Sequence, residues 1–465
     1  MPNLSQFFDY SSPQSNIFPS LSSLPFPLSV IDGKSQAIEA KIKFADNRRY
    51  RYKIQRRVKK ILKPDRSIFN TSKEDDRPRF VKDKWFNIRS CGVTSNSGGV
   101  AVVHSPSSNS SSYSGVRTCG SVWSCPVCSY KVADHRSYEI DLGIKNFYKS
   151  FPSGRIMMMV LTHSHTNEDL LSVTVKKRTE CIARCFSQRG VKEIFKKYKI
   201  LYKINCFEIT VSQFNGWHPH NHILLFSEAE IDMESLQSEL LPYWIKSLES
   251  VGLSGSCDRA LCVCGGDKAS KYVTGLTKEI TLGAFSKLGK NTSEIKHYTP
   301  FQLVAYVEEN PDNSGWASAR FYEFSIVMRG KKQIVWSRGA KKALGIKQVS
   351  DEEAAEQKEN DSVSQVLITN RAWYKLCKYG YDYRPLVLEV SEYGKTHLIK
   401  LLKQLEVDFT DLHDIPYIRS SLGKKKKKED NGYENHIDCL TRIDRNMEKK
   451  FKREKIDYDL AVPWG

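Results

Sequence analysis

"GWHPHNHILLF", Gly216–Phe226, decides how the rest of the chain is read. It sets His218, His220 and His222 at alternate positions, in a chain with 11 histidines among 465 residues, and then enters an apolar run. Alternate side chains of a strand share a face, so the three imidazoles point one way wherever the strand covers them. Pro219 has no N–H for a ladder and is expected to mark where pairing begins, leaving His220 and His222 as the ordered pair. Just upstream, "YKINCFEITVS" (202–212) has strand composition and "FNG" (214–216) turn composition. A hairpin closed around Phe214, Asn215 and Gly216 sets Thr210 opposite His220 and Glu208 opposite His222. Two ring nitrogens and a carboxylate on one sheet face make an open divalent-cation site, with positions left for water or phosphate. A one-residue slip would carry Glu208 to the other face. A lone strand histidine is ordinarily a satisfied structural residue; two beside a carboxylate form a metal pattern.

The flanking sequence supplies elements for a sheet. "RIMMMVLT" (155–162) reads as a buried strand, 167–188 as a helix with Asn167 as its cap, 233–250 as a helix, and "ALCVCGG" as a short strand. A helix is expected over 267–280, and strands over 320–328 and 332–336. Helices and strands mix without regular βαβ alternation, so the fold class is α+β with an antiparallel sheet. There is no internal repeat.

Composition bounds the partners. Lys and Arg number 72 against 53 Asp and Glu, a net charge of +19, which points to a polyanion and most simply to nucleic acid. No run of eighteen apolar residues is present, so no membrane-spanning helix is expected. No signal peptide is read at the N-terminus, so the protein is expected in the cytoplasm. Residues 1–40 are Ser/Pro-rich at the start and read as a disordered leader. Residues 41–80 form a basic arm: Lys41 to Lys63 holds 11 basic residues and one acid, and Arg48, Arg49, Arg51, Arg56 and Arg57 are the candidate phosphate contacts. The alternative is a solvated helix face. From 351 to 465 an accessory region follows, ending in a charged tail that begins at "KKKKK" (424–428).

Residues 81–150 form a Cys-rich subdomain. "CGSVWSCPVC" spaces Cys119, Cys125 and Cys128 as C-x5-C-x2-C, and a C-x2-C knuckle with a third thiol makes a zinc site. Cys91 in "IRSCGV" is the fourth candidate, with His135 behind it; a redox CxxC pair is the rival reading. A four-cysteine site would be structural and would orient the basic helix 131–148. Cys262 and Cys264 alternate on a short strand and read as core.

"NGWHPHNHILL" resembles the second motif of plasmid rolling-circle replication initiators of the HUH endonuclease superfamily, with Asn221 where that family usually carries a bulky apolar residue. "VLTHSHT" (160–166) resembles its first motif, and neither His163 nor His165 is taken as a ligand. "SKYVTGLTKE", "KEITLG", "YTPFQL" (298–303) and "QIVWSRGAKKALGI" (333–346) are also similar to the plasmid family, as is the "Cys…CGSxWxCPVC" pattern that supports Cys91. The resemblance spans about 88–350. It implies a palm-like, roughly five-stranded antiparallel sheet with flanking helices in an HUH catalytic domain at 151–350. It also implies Tyr272, one of 22 tyrosines, as the nucleophile. Attack would give a 5′-phosphotyrosine and a free 3′-OH primer, and later joining would reseal the strand. Mg2+ or Mn2+ would sit at Glu208, His220 and His222, with His218 beside them; Lys268 and Lys271 flank the tyrosine. Some relatives carry a glutamate four residues before the tyrosine, where this chain has Lys268; Asp267 and Glu279 are the remaining acids near it. The implied partners are origin DNA and host polymerase, helicase and single-strand-binding protein. A transposase or relaxase with the same centre, or a non-catalytic zinc-containing regulator, are the alternatives. "GAFSKLGKNT" (283–292) fails the P-loop spacing, so no NTPase is read.

Overall fold

The computed structural model describes residues 36–62, 85–95, 98–264, 297–378 and 382–416. The leader to residue 35, part of the basic arm, the expected helix 267–280 and the lysine tail lie outside them. Ten strands run among the described residues: β1 Gly99–Ser105, β2 Ser110–Ser114, β3 Arg155–Leu161, β4 Ile200–Ser212, β5 Gly216–Ser227, β6 Leu261–Cys264, β7 His297–Tyr298, β8 Ile334–Trp336, β9 Val363–Thr369 and β10 Phe409–Pro416. They divide between two compact units, each discontinuous in sequence. One holds 50–91 and 118–357; the other holds Arg49 and the residues before it, 92–117, and the chain from 358.

In the first unit the order is β6-β3-β5-β4-β7, with β8 also pairing β4, and every pairing is antiparallel. β7 and β8 pair different stretches of β4, so the sheet is five strands across. β3 and β5 are unbroken apolar runs because both their faces are covered. Met157, Met159, Ile223 and Leu225 pack with Cys181, Cys185, Leu236 and Trp244 of the helices Leu171–Ser187 and Met233–Glu249. Ile156, Met158, Leu224 and Phe226 pack with Ile140 and Phe147 of the helix Pro126–Ser150. Toward the turn of the hairpin, Ile209, Val211 and Trp217 join the core of the helices Pro300–Glu309 and Gly315–Val327.

Several expectations need correcting. Residues 320–327, expected as a strand, are the end of the helix Gly315–Val327, with Met328 as its C-cap; Ala317, Phe321 and Phe324 are buried at helical spacing. The helix expected from 167 begins at Leu171, and Leu170, not Asn167, is its N-cap. Pro219 lies inside β5, opposite Ile209. β3 pairs β5 only as far as Asn221, so Pro219 has a ladder neighbour on one side alone, where a missing N–H is tolerated. Cys262 is exposed, not core.

The second unit is a sheet of order β10-β9-β1-β2, whose core includes Val100, Val102, Val366, Ile368, Trp373 and Leu398. The helices Asn370–Lys378, Arg384–Ser391 and Lys395–Gln404 belong to it. The Cys-rich segment 81–150 is therefore not one body, because β1, which pairs with β2, also pairs with β9 from the C-terminal region. No helix among the described residues is long and apolar enough to cross a membrane.

Candidate metal centre

The β4–β5 hairpin closes through Gln213, Phe214 and Asn215, with Ser212 paired to Gly216. Gly216 has φ +69°, and a Cβ there would stand 2.6 Å from the Thr166 carbonyl oxygen, so glycine is required twice over. The turn is one residue earlier than expected. Glu208 therefore faces His220, Thr210 faces His218 and Cys206 faces His222. Moving a turn by one residue shifts each pairing by two, which keeps every side chain on its face. Glu208 thus remains on the histidine face.

There Glu208, His220 and His222 converge, with one ligand atom from each within 4.8 Å of the others. Glu208 Oε2 lies 2.8 Å from His220 Nε2 and 3.1 Å from His222 Nε2. Ligands about 2.1 Å from one ion and at right angles are about 3.0 Å apart, so these three atoms fit one cation. Burial raises the Glu208 carboxyl's pKa, but hydrogen bonds and charge from His220 and His222 outweigh it and leave it well below the usual range. His220 Nδ1 lies 3.4 Å from the His218 carbonyl oxygen, which favours a proton there and leaves Nε2 for a ligand.

His218 shares the face but not the cluster. Its Nδ1 lies 2.5 Å from His165 Nε2, and His165 Nδ1 lies 2.9 Å from the Asn215 carbonyl oxygen. A carbonyl only accepts, so His165 carries its proton on Nδ1 and, when neutral, accepts at Nε2 from His218 Nδ1–H. Burial, then the neighbouring His220, pushes His218 down to about 3, so it is neutral near pH 7.

Behind the site, Asn221 points to the opposite face. Arg178, 1% exposed, donates from Nε to Asn221 Oδ1 (2.6 Å) and from an Nη to His163 Nδ1 (2.7 Å). Asn221 Nδ2 donates to Asn205 Oδ1 at 2.7 Å. Sequence reading missed Arg178 and Asn205; His165, set aside as a ligand, is indeed outside the ligand group and bonds His218 instead. The "HSH" spacing and the polar Asn221 were the available signals; Arg178 sits in a helix of ordinary composition.

The four cysteines of the second pattern also meet. Cys91, Cys119, Cys125 and Cys128 form one group, with Sγ–Sγ separations of 3.8 Å (91–125), 3.5 Å (91–128) and 3.7 Å (119–128). Tetrahedral zinc with bonds of about 2.3 Å sets its sulfurs about 3.8 Å apart, so the residues fit that ion. Gln55 Nε2 donates to Cys125 Sγ at 3.3 Å. Hydrogen bonds from Cys119, Cys128 and Cys91 pull the Cys125 thiol's pKa down against burial. His135 is not in the group and lies 3.3 Å from Glu139.

The basic helix Gln36–Ile61 does not present its arginines as a row. Arg48 is buried against Glu392, and Arg49 pairs with Glu389. Arg51 lies 3.8 Å over the Tyr130 ring, Arg57 pairs with Glu308, and Arg56 is half-buried. Arg48 and Arg51 are closed to phosphate. Ile54 and Val58, four apart on one face of that helix, and Leu62 just after it are core. Asp267, Lys268, Lys271, Tyr272 and Glu279 lie outside the described residues.

Among known proteins the chain is similar to three named "Protein rep". That of Streptomyces lividans is 20% identical over 343 residues, covering 58% of this chain and 74% of the relative. That of Lentilactobacillus hilgardii is 22% identical over 129 residues, 27% of this chain and 40% of the relative. That of Streptococcus pneumoniae serotype 2 is 26% identical over 102 residues, 22% of this chain and 30% of the relative. No family model matches the chain, and no solved structure matches it significantly.

Proposed function

We propose that the protein is a plasmid rolling-circle replication initiator of the HUH endonuclease type, which nicks one DNA strand at an origin and later rejoins it. The observation that carries this reading is the convergence of Glu208, His220 and His222 on one face of an antiparallel hairpin. The similarity to proteins named "Protein rep" agrees with it. Mg2+ or Mn2+ bound by these residues would neutralise a non-bridging phosphoryl oxygen and align the phosphorus for in-line attack.

The chain's own residues supply the rest. The phenol of Tyr272 loses its proton and attacks phosphorus, so a phosphotyrosine bond forms as the P–O3′ bond breaks. The departing 3′-oxygen takes up a proton and becomes a primer terminus. Joining runs the same exchange backward, with a 3′-OH as nucleophile and the tyrosine as leaving group. Lys268 and Lys271 flank the phenol in sequence and would favour its phenolate, whose unperturbed pKa is about 10. Asp267 and Glu279 are the candidates for activating water at termination. The role of Tyr272 rests on its sequence motif. β6 and β7, the described strands before and after Tyr272 in sequence, both belong to the sheet that carries the histidines. His218 and His165 hold the turn end of the hairpin to the loop after β3 through their hydrogen-bonded chain. Zinc at the four cysteines would be structural. The setting is the cytoplasm, with origin DNA and host polymerase, helicase and single-strand-binding protein as partners.

The test is a labelled origin-strand oligonucleotide incubated with protein and Mn2+, resolved on a denaturing gel. Wild type should give a covalent adduct and a free 3′-OH product, and Tyr272→Phe neither. An adduct formed by Tyr272→Phe would reassign the nucleophile. Absence of any adduct from wild type would favour a non-catalytic DNA-binding regulator.

A further inference from the structure

The stretch Arg329–Lys347, which includes "QIVWSRGAKKALGI", has no part in the proposed chemistry. β8 lies within it. Before β8 the chain exposes Arg329, Lys331 and Lys332, and after it Arg338 and Lys342. All five line one cleft of about 1080 Å3. Seven Lys or Arg side chains line this cleft against three carboxylates. Two of the seven are neutralised internally: Arg136 pairs with Glu139 and Asp351, and Lys341 pairs with Glu139. The other five form no ion pair among the described residues.

Five unpaired cations on one concave wall repel one another, and a concave low-dielectric wall focuses their field. Two tryptophans hold cations at the wall: Arg329 lies 5.9 Å from the Trp85 ring centroid and Lys341 5.7 Å from that of Trp336. Gly339 takes φ +82° with nothing within 4 Å of where a Cβ would stand, so backbone as well as side chains is open to an anion there. A cleft of this volume, lined by five unpaired cations, suits an extended polyanion better than a single small anion. Its position also fits the substrate. Ile334 of β8 pairs with Cys206, and Cys206 with His222. Two ladder steps of about 4.8 Å put this edge about 10 Å from the candidate metal centre.

We propose that this cleft, rather than the arginines of the N-terminal helix, holds the sugar–phosphate backbone of the DNA next to the reacting position. That the polyanion is DNA rests on the proposed function; that the cleft binds a phosphate backbone rests on its own geometry.

The experiment compares full-length wild type with Lys331→Ala/Lys332→Ala/Arg338→Ala and a charge-matched control, Lys176→Ala/Lys192→Ala/Lys196→Ala, whose lysines are exposed elsewhere on the same unit. Binding to labelled single-stranded and duplex oligonucleotides is measured without added divalent ion over a range of salt. The cleft variant should bind about tenfold or more weakly near 0.1 M salt, and its slope of log affinity against log salt should fall by about 2 to 3. The control should stay within about twofold of wild type. The arm with the larger loss identifies which form of DNA occupies the cleft. Should the triple variant melt early, Lys332→Ala and Arg338→Ala are read singly, and each should lower the slope by about 1. Equal binding and slope for wild type and cleft variants, or an equal loss in the control, would overturn the proposal. Wild type that binds through the cleft yet forms no adduct would remove the nicking reaction and leave the cleft standing.

Discussion

Arg178 Nε donates to Asn221 Oδ1 at 2.6 Å, joining a fully buried cation to the residue between the two metal-facing histidines. The same guanidinium reaches His163, and Asn221 is bound in turn to Asn205. The back of the hairpin is thus held by a polar network in place of an apolar side chain. Asn221→Leu would strip an acceptor from a buried guanidinium and a donor from Asn205. Thermal unfolding should show a loss of about 2–4 kcal/mol. Arg178→Met added to it should restore at least about 1 kcal/mol, because the unpaired charge is then gone.

His163 sets a pH dependence. Burial, then the charge of Arg178, pushes its pKa down to about 3, whereas an unfolded histidine titrates near 6.5. Between those values the unfolded chain binds a proton that the folded chain does not. Stability is therefore highest above about 6.5 and falls as pH drops toward 3, by up to about 1.4 kcal/mol per pH unit from this group. His163→Gln keeps an acceptor for Arg178 and removes the titration. Its loss of stability between pH 7 and pH 5 should be smaller than that of wild type by up to about 2 kcal/mol.

What the sequence made legible follows from interaction range. The hairpin, its histidine face and the cysteine group were readable because period-two alternation and C-x2-C spacing are local patterns. The exact register was not, since Gln213 to Gly216 offers two turn frames, and contacts distant in sequence, such as that of Gly216 with Thr166, accompany the one the fold takes. The strand Ser110–Ser114 reads "SSSYS", which resembles a loop; it is a strand because it pairs with β1, itself paired with β9 more than 250 residues later. The arginines of Gln36–Ile61 looked like a phosphate-binding arm because charge patterning does not reveal partners such as Glu308, Glu389 and Glu392.

The cysteine group predicts a zinc stoichiometry of one per chain by elemental analysis, lost in Cys91→Ser and Cys128→Ser. Gln55 donates to Cys125 Sγ from the helix Gln36–Ile61, so it supports the site without being a ligand. Gln55→Leu should weaken zinc retention against a competing chelator by about 10- to 100-fold while leaving the stoichiometry at one without chelator.

Gly216→Ala tests the turn. Its φ of +69° and the contact with Thr166 leave no room for a methyl group. Thermal unfolding should show a cost of about 1–3 kcal/mol, together with weaker Mn2+ binding, because the shift falls on the strand that carries His218, His220 and His222.

The centre itself is tested most directly by Mn2+ titration of zinc-loaded protein, followed by electron paramagnetic resonance of the free ion. Wild type and Tyr272→Phe should each remove one Mn2+ per chain from solution, and Glu208→Ala and His220→Ala/His222→Ala should remove none at the same concentrations. Equal Mn2+ uptake by wild type and by His220→Ala/His222→Ala would contradict the account.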